Sequence, residues 1–81
     1  MTITVRLFAF LRTQTGTDTL TLELDPKSQA ATVKDALARR FPQIALWLPY
    51  TRIAINCAYE PWDAPLREGD ELALIPPVSG G

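Results

Sequence analysis

A single clear helical stripe constrains this chain more than any other feature. In the stretch "ATVKDALARRFP", Val33, Ala36, Leu37 and Phe41 share one face at helical spacing, and Pro42 marks the stop. Thr32 is the expected N-cap, with Asp35 three residues on in an imperfect capping box. The remaining structure must come from runs that alternate at period two. "TITVRLFA" puts Ile3, Val5, Leu7 and Ala9 on one face and Thr4, Arg6 and Phe8 on the other; "TLTLEL" aligns Leu20, Leu22 and Leu24. With a turn around Gly16, these two runs predict an antiparallel hairpin with a long loop. "RIAIN" predicts a short strand with Ile53 and Ile55 inward, and "YEPW" a stub that Pro61 confines to a sheet edge. "ELALI" predicts the final strand, with Leu72 and Leu74 inward, ended by Pro76 and Pro77, which cannot donate ladder hydrogen bonds. Between Pro42 and Pro49, "QIALWLPYT" predicts a turn or short helical piece, with Trp47 filling the core.

One helix must then cover one mostly antiparallel sheet, an α+β architecture. A right-handed crossover through the helix lets the last strand lie beside the first. The order of elements resembles the β-grasp fold of ubiquitin-like proteins, with one main helix on a mixed sheet of four to five strands. The expected organisation is a single domain over residues 1–75 and a flexible tail over 76–81.

Composition narrows the possible functions. Eighty-one residues, 47% hydrophobic and 21% charged, suit one ordinary globular domain. A net charge of −1 argues against nucleic acid as partner, because phosphate contacts need a basic face. With one cysteine, Cys57, and no histidine, the inventory excludes an internal disulfide, a zinc site, a Cys-His dyad and a histidine general base. No metal site is expected. No apolar run is long enough to span a membrane, and Arg6 interrupts the apolar start with no small-residue cleavage site after it. A reduced, cytoplasmic protein is expected.

The chain closes Ile75-Pro76-Pro77-Val78-Ser79-Gly80-Gly81. Two glycines alone carry little information, since glycine is about 7% of average sequence. Their setting carries more. "REGDELALIPPVSGG" resembles the C-terminus of the molybdopterin synthase sulfur-carrier (small) subunit family: Gly-Asp-Glu, a strand, then Pro-Pro-Val-Ser/Thr-Gly-Gly. "LFAFLRTQTG" is similar to the family's opening and "AINCAYEPWDAPLREGDE" to its middle. The helix region departs most, and Ala9-Phe10 follows a single phenylalanine where many members have two in succession.

The resemblance implies that the Gly81 carboxylate is the working group. A ubiquitin-activating-like adenylyltransferase would adenylate it with ATP, and a sulfur donor would convert it to a thiocarboxylate. The tail would then enter the large, catalytic subunit and give its sulfur to a pterin precursor. The chain would bind no cofactor and hold no catalytic residue beyond that terminal group. Physical chemistry fits these parts: an α-carboxylate with a pKa of about 3.5 is an anion at neutral pH and a poor acyl donor until activated. Gly80 and Gly81 offer no β-carbon to block attack. Pro76 and Pro77 stiffen the root of the tail, and Val78 to Gly81 spans at most about 14 Å.

Strand parity places Phe8 and Ile75 on the outward face, where Tyr59 extends them into an apolar patch at the tail's root. The family resemblance puts partner contacts at these positions and at Arg12. Asn56 is expected to serve a turn through a local bond to backbone, and Cys57 to be a small strand-end residue. Gly69-Asp70 is expected to turn the chain into the last strand, with Asp63, Glu68, Asp70 and Glu71 solvated. Three other functions fit the same features: a sulfur carrier for thiazole synthesis, a ubiquitin-like protein modifier joined through Gly81 to lysine amines, and a binding module with an idle tail.

Overall fold

A computed structural model describes residues 1–77 of the chain. Strand β1 (Thr2–Leu7) buries Ile3, Val5 and Leu7, as its alternation requires. The run does not continue through Ala9. Phe8 caps a helix instead, α1 (Ala9–Thr15), so the expected loop contains an element and Ala9 leaves the core face for solvent. A helix of seven residues is unstable in isolation. Burial of Leu11 holds it, and Gly16 ends it in the left-handed region at φ 75°, its N–H donating to the Arg12 carbonyl at 2.9 Å.

Strand β2 (Thr19–Glu23) runs antiparallel to β1, pairing Leu20 with Val5 and Leu22 with Ile3. Helix α2 (Ala30–Arg40) begins two residues before the expected cap, and Gln29 caps it with no side-chain hydrogen bond. The reason is tertiary. Ala30 N–H donates to the Ala64 carbonyl at 2.9 Å and Ala31 N–H to that of Trp62 at 2.7 Å, so the loop between the last two strands of the sheet satisfies the helix start. Ala30, Val33 and Leu37 form the buried stripe.

Two 3-10 turns follow, Pro42–Ile44 and Leu48–Tyr50, in the segment expected to be a short helical piece. Trp47 does not fill the core: it is 46% exposed and packs edge-on against Phe10, ring centroids 5.1 Å apart. Ile44 and Leu48 take the interior instead. The indole that seals this edge is Trp62, whose Nε1 donates to the carbonyl of buried Thr51 at 3.1 Å.

Strands β3 (Arg52–Ile55) and β4 (Ala58–Glu60) form a hairpin around Asn56 and Cys57, at φ 51° and 74°. Two left-handed residues in a two-residue loop match the twist of the flanking strands. Strand β5 (Glu71–Ile75) closes the sheet in the order β2-β1-β5-β3-β4, parallel to β1 and antiparallel to β3. The last strand therefore lies beside the first, in a five-stranded mixed sheet. Ile3, Val5, Leu7, Ile53, Leu72 and Leu74 from the inner face meet Val33, Leu37, Ile44 and Leu48 in one core. This is the β-grasp arrangement. Among the described residues the last strand ends at Ile75, and Pro76 and Pro77 follow outside any helix or strand; the expected tail from Val78 to Gly81 lies outside the described residues.

Candidate functional site

The final strand leaves the sheet from its centre. Arg52 of β3 pairs with Ile75 on one side of β5, and Leu7 of β1 pairs with Leu74 on the other. One residue further along β1, Phe8 is level with Ile75. Its backbone stays extended, at φ −127° and ψ 162°, which keeps its side chain on the outer face shared by Arg6. Phe8 is 42% exposed and Ile75 half-buried. The expected apolar patch at the root of the tail is therefore formed by adjacent residues.

Tyr59 joins this face from the sheet edge. It pairs with Ala54 across β3 and β4 and is 61% exposed. The guanidinium of Arg52 lies over its ring at 4.3 Å, in cation–π range. Between the aromatic rings the floor is made of small residues, Ala73 and Ala54, which pair with each other. Arg12 is exposed one helical turn beyond Phe8, its N–H reaching the Phe8 carbonyl at 3.4 Å. Pro76 is half-buried and Pro77 exposed. The remaining expected tail residues, Val78, Ser79, Gly80 and Gly81, lie outside the described residues.

Two arginines belong to this face that the sequence reading did not single out. Arg6 sits level with Ala73, its guanidinium 5.8 Å from the Phe8 ring centroid. Arg52 stands opposite Ile75. Parity carried the signal for both, since Arg6 alternates with Val5 and Leu7, and Arg52 with Ile53. What parity does not reveal is which strands are neighbours.

The opposite end of the sheet is built for structure. The Asn56 turn was expected to rest on a local bond, yet its side chain reaches across the sheet. Asn56 Nδ2 donates to Asp70 Oδ1 at 2.9 Å, and its Oδ1 accepts the Glu71 N–H at 3.0 Å. Asp70 Oδ2 also accepts the Arg67 N–H at 2.8 Å, closing the turn at Gly69. Glu68 accepts the Thr2 N–H at 3.0 Å, and Glu71 lies 3.8 Å from Arg6. Asp70 and Glu68 are thus structural acceptors, not merely solvated groups, while Glu71 makes only a loose ion pair. Cys57 is exposed at the hairpin tip, at the far end of β3 from the tail root. Among the described residues, no three metal-binding side chains gather into a site, and no helix is long and apolar enough to cross a membrane.

Comparison with known proteins agrees with this geometry. A molybdopterin synthase sulfur carrier subunit of Arabidopsis thaliana is 38% identical over 79 residues, covering 98% of this chain and 82% of the relative. The solved structure of SAMP1 from Haloferax volcanii superposes with a TM-score of 0.90 over the whole of both chains, at 27% identity. A chain from a complex of subunits 1 and 2 of the molybdopterin-converting factor of Helicobacter pylori shares the fold, with a TM-score of 0.69, 24% identity and full coverage of both chains. Residues 5–81 match the ThiS family model, and on that match, over nearly its full length, the chain belongs to the ThiS family.

Proposed function

We propose that this chain is the sulfur-carrier subunit of a molybdopterin synthase. The observation that carries the reading is the position of β5: held between β1 and β3, it delivers Pro76 and Pro77 from the middle of an exposed rim bearing Phe8 and Ile75. The name borne by the Arabidopsis relative supports it. In the activating enzyme, a Gly81 carboxylate oxygen attacks the α-phosphorus of ATP and pyrophosphate leaves. Sulfide from the sulfur donor then attacks the acyl carbon, AMP departs with the acyl–phosphate oxygen, and loss of the S–H proton leaves a thiocarboxylate. Phe8, Tyr59 and Ile75 dock on the large subunit, Arg12 at their margin. Pro76 and Pro77 hold the tail extended, and Val78 to Gly81 carry the sulfur to the pterin precursor. ATP is bound by the activating enzyme, this chain binds no cofactor, and the exchange takes place in the cytoplasm.

The test is intact-mass measurement after incubation with the activating enzyme, ATP and a sulfide source. One oxygen-to-sulfur exchange, placed on Gly81 by fragmentation and unaffected by Cys57→Ala, is expected. Gly81 left unmodified under these conditions would overturn the reading.

The likeness to SAMP1, a small archaeal modifier protein of Haloferax volcanii, favours a second reading. In it, Gly81 forms amide bonds with lysine side chains of other proteins. Cells producing an N-terminally tagged chain, lysed in denaturant, separate the two: a modifier leaves a ladder of heavier adducts and a carrier leaves one band.

A further inference from the structure

The outer face of the sheet carries charge in a pattern that docking through Phe8 and Ile75 does not use. Arg6 on β1 and Arg52 on β3 stand on either side of β5, level with Ala73 and Ile75 respectively. Strands lie about 4.8 Å apart and rise about 3.3 Å per residue, so two strand spacings and a two-residue offset put the arginine backbones roughly 12 Å apart. Each guanidinium lies over an aromatic ring of the same face, Arg6 over Phe8 and Arg52 over Tyr59. A cation–π contact of this kind uses the ring's electron-rich face and consumes none of the guanidinium N–H donors.

Among the described residues, no acceptor meets these edges at hydrogen-bond distance. Arg6 Nε is buried with no hydrogen-bond partner among the described residues. Glu71 approaches only its Nη1, at 3.8 Å, too far for a hydrogen bond. No carboxylate of the described residues lies within ion-pair distance of Arg52. An apolar partner laid across this face would bury both cations and leave their donors unmet, which is costly. A carboxylate accepts the two N–H groups of a guanidinium edge together, in short charge-assisted bonds.

We infer that this face takes a protein surface on which an apolar side chain, seated on Ala73 and Ala54 between the rings, is flanked by carboxylates that pair with Arg6 and Arg52. The inference rests on the docking reading above and names the chemistry of the partner it needs. Arg6 and Arg52 are then the residues that select the partner, while Phe8, Tyr59 and Ile75 supply apolar contact. A phosphate or other small anion is disfavoured, since the arginines flank an open apolar floor instead of converging on one point.

The probe is the purified large subunit encoded in the same genome. Its association with this chain is followed by stopped flow from about 50 mM to about 500 mM salt, a range over which screening removes long-range attraction. Four proteins are compared: the parent, Phe8→Ala, the double variant Arg6→Leu/Arg52→Leu, and Arg6→Glu/Arg52→Glu. Thermal melts identify any variant that fails to fold, and single Arg52→Glu, at an exposed position, serves if the double reversal does so.

Charge reversal is expected to slow association at low salt by about tenfold or more, and the leucine pair to flatten the salt dependence. Phe8→Ala should weaken the complex while keeping the parent's salt dependence. If Phe8→Ala weakens binding but the arginine variants associate like the parent, the inference is wrong and the docking reading stands. If no variant alters binding, or the two proteins do not associate, the docking reading fails and the inference with it.

Discussion

Replacing Phe8 by alanine separates docking from folding. Phe8 is 42% exposed, lies just past the end of β1 and is absent from the buried core. A phenylalanine side chain offers about 200 Å² for burial. The exposed part is therefore about 80 Å², which at about 25 cal/mol per Å² is worth about 2 kcal/mol when a partner covers it. That corresponds to roughly a thirtyfold rise in Kd for the large subunit. Isothermal titration calorimetry on folded protein measures the change directly, and a less negative heat-capacity change on binding should accompany it, because less apolar surface is removed from water. A thermal melt of the same variant reports separately what the covered part of the ring contributes to the fold, so loss of binding is compared between folded proteins. An Ile75→Ala variant should act in the same direction with a smaller effect, Ile75 already being half-buried. Parent-like affinity in the Phe8 variant would show that the face opposite α2 is not the docking surface, and the parity reasoning would fail with it.

Deleting Gly81, or extending the chain beyond it with a tag, should abolish sulfur loading in the mass assay and leave the thermal melt unchanged; a tagged chain that loads normally refutes the role of the terminal carboxylate. Leu37→Ala should cost about 2–5 kcal/mol by denaturant titration, because the side chain is fully buried under the sheet, whereas Trp47→Ala should cost clearly less. Cys57→Gly should stabilise the fold by roughly 0.5–1 kcal/mol, since Cys57 holds φ 74° at the hairpin position where glycine is favoured; an unchanged or lower melting temperature counts against that account. Asn56→Ala should destabilise by about 2 kcal/mol, through the loss of two cross-sheet hydrogen bonds and the strain of alanine at φ 51°.

Strand parity was readable because period two is a local property: Ile3, Val5 and Leu7 are buried whatever strand lies beside them. The same parity placed Phe8 and Ile75 outward, and only their adjacency needed the structure. Helix α1 was hidden because seven residues hold less than two turns, with one buried side chain, Leu11, to mark a face. The start of α2 was hidden for another reason. Its first N–H groups are met by the carbonyls of Ala64 and Trp62, more than thirty residues on, where no local capping residue marks them. Trp47 was misplaced because residues 44–48 are all apolar, so hydrophobicity does not say which face turns in. Spacing would have helped: Ile44 and Leu48 are one helical turn apart and both are buried. The stacking of Arg52 on Tyr59 depends on the pairing of β3 with β4, which residue types alone do not encode.

The two ends of the sheet divide structure from exposure through the direction of β5. At its start, Asp70 and Asn56 tie the incoming turn to the β3–β4 hairpin, so backbone donors there are already matched. At its finish, Ile75 is still paired with Arg52, and the next residue is a proline that cannot extend the ladder. A central strand flanked on both sides frays less readily than an edge strand, because opening it disrupts two ladders at once. The root of the tail is therefore fixed to within a residue, on the same face as Phe8, Arg6 and Arg52. A partner that grips this rim receives Pro76 and Pro77 from a defined point, so less freedom is lost there on binding.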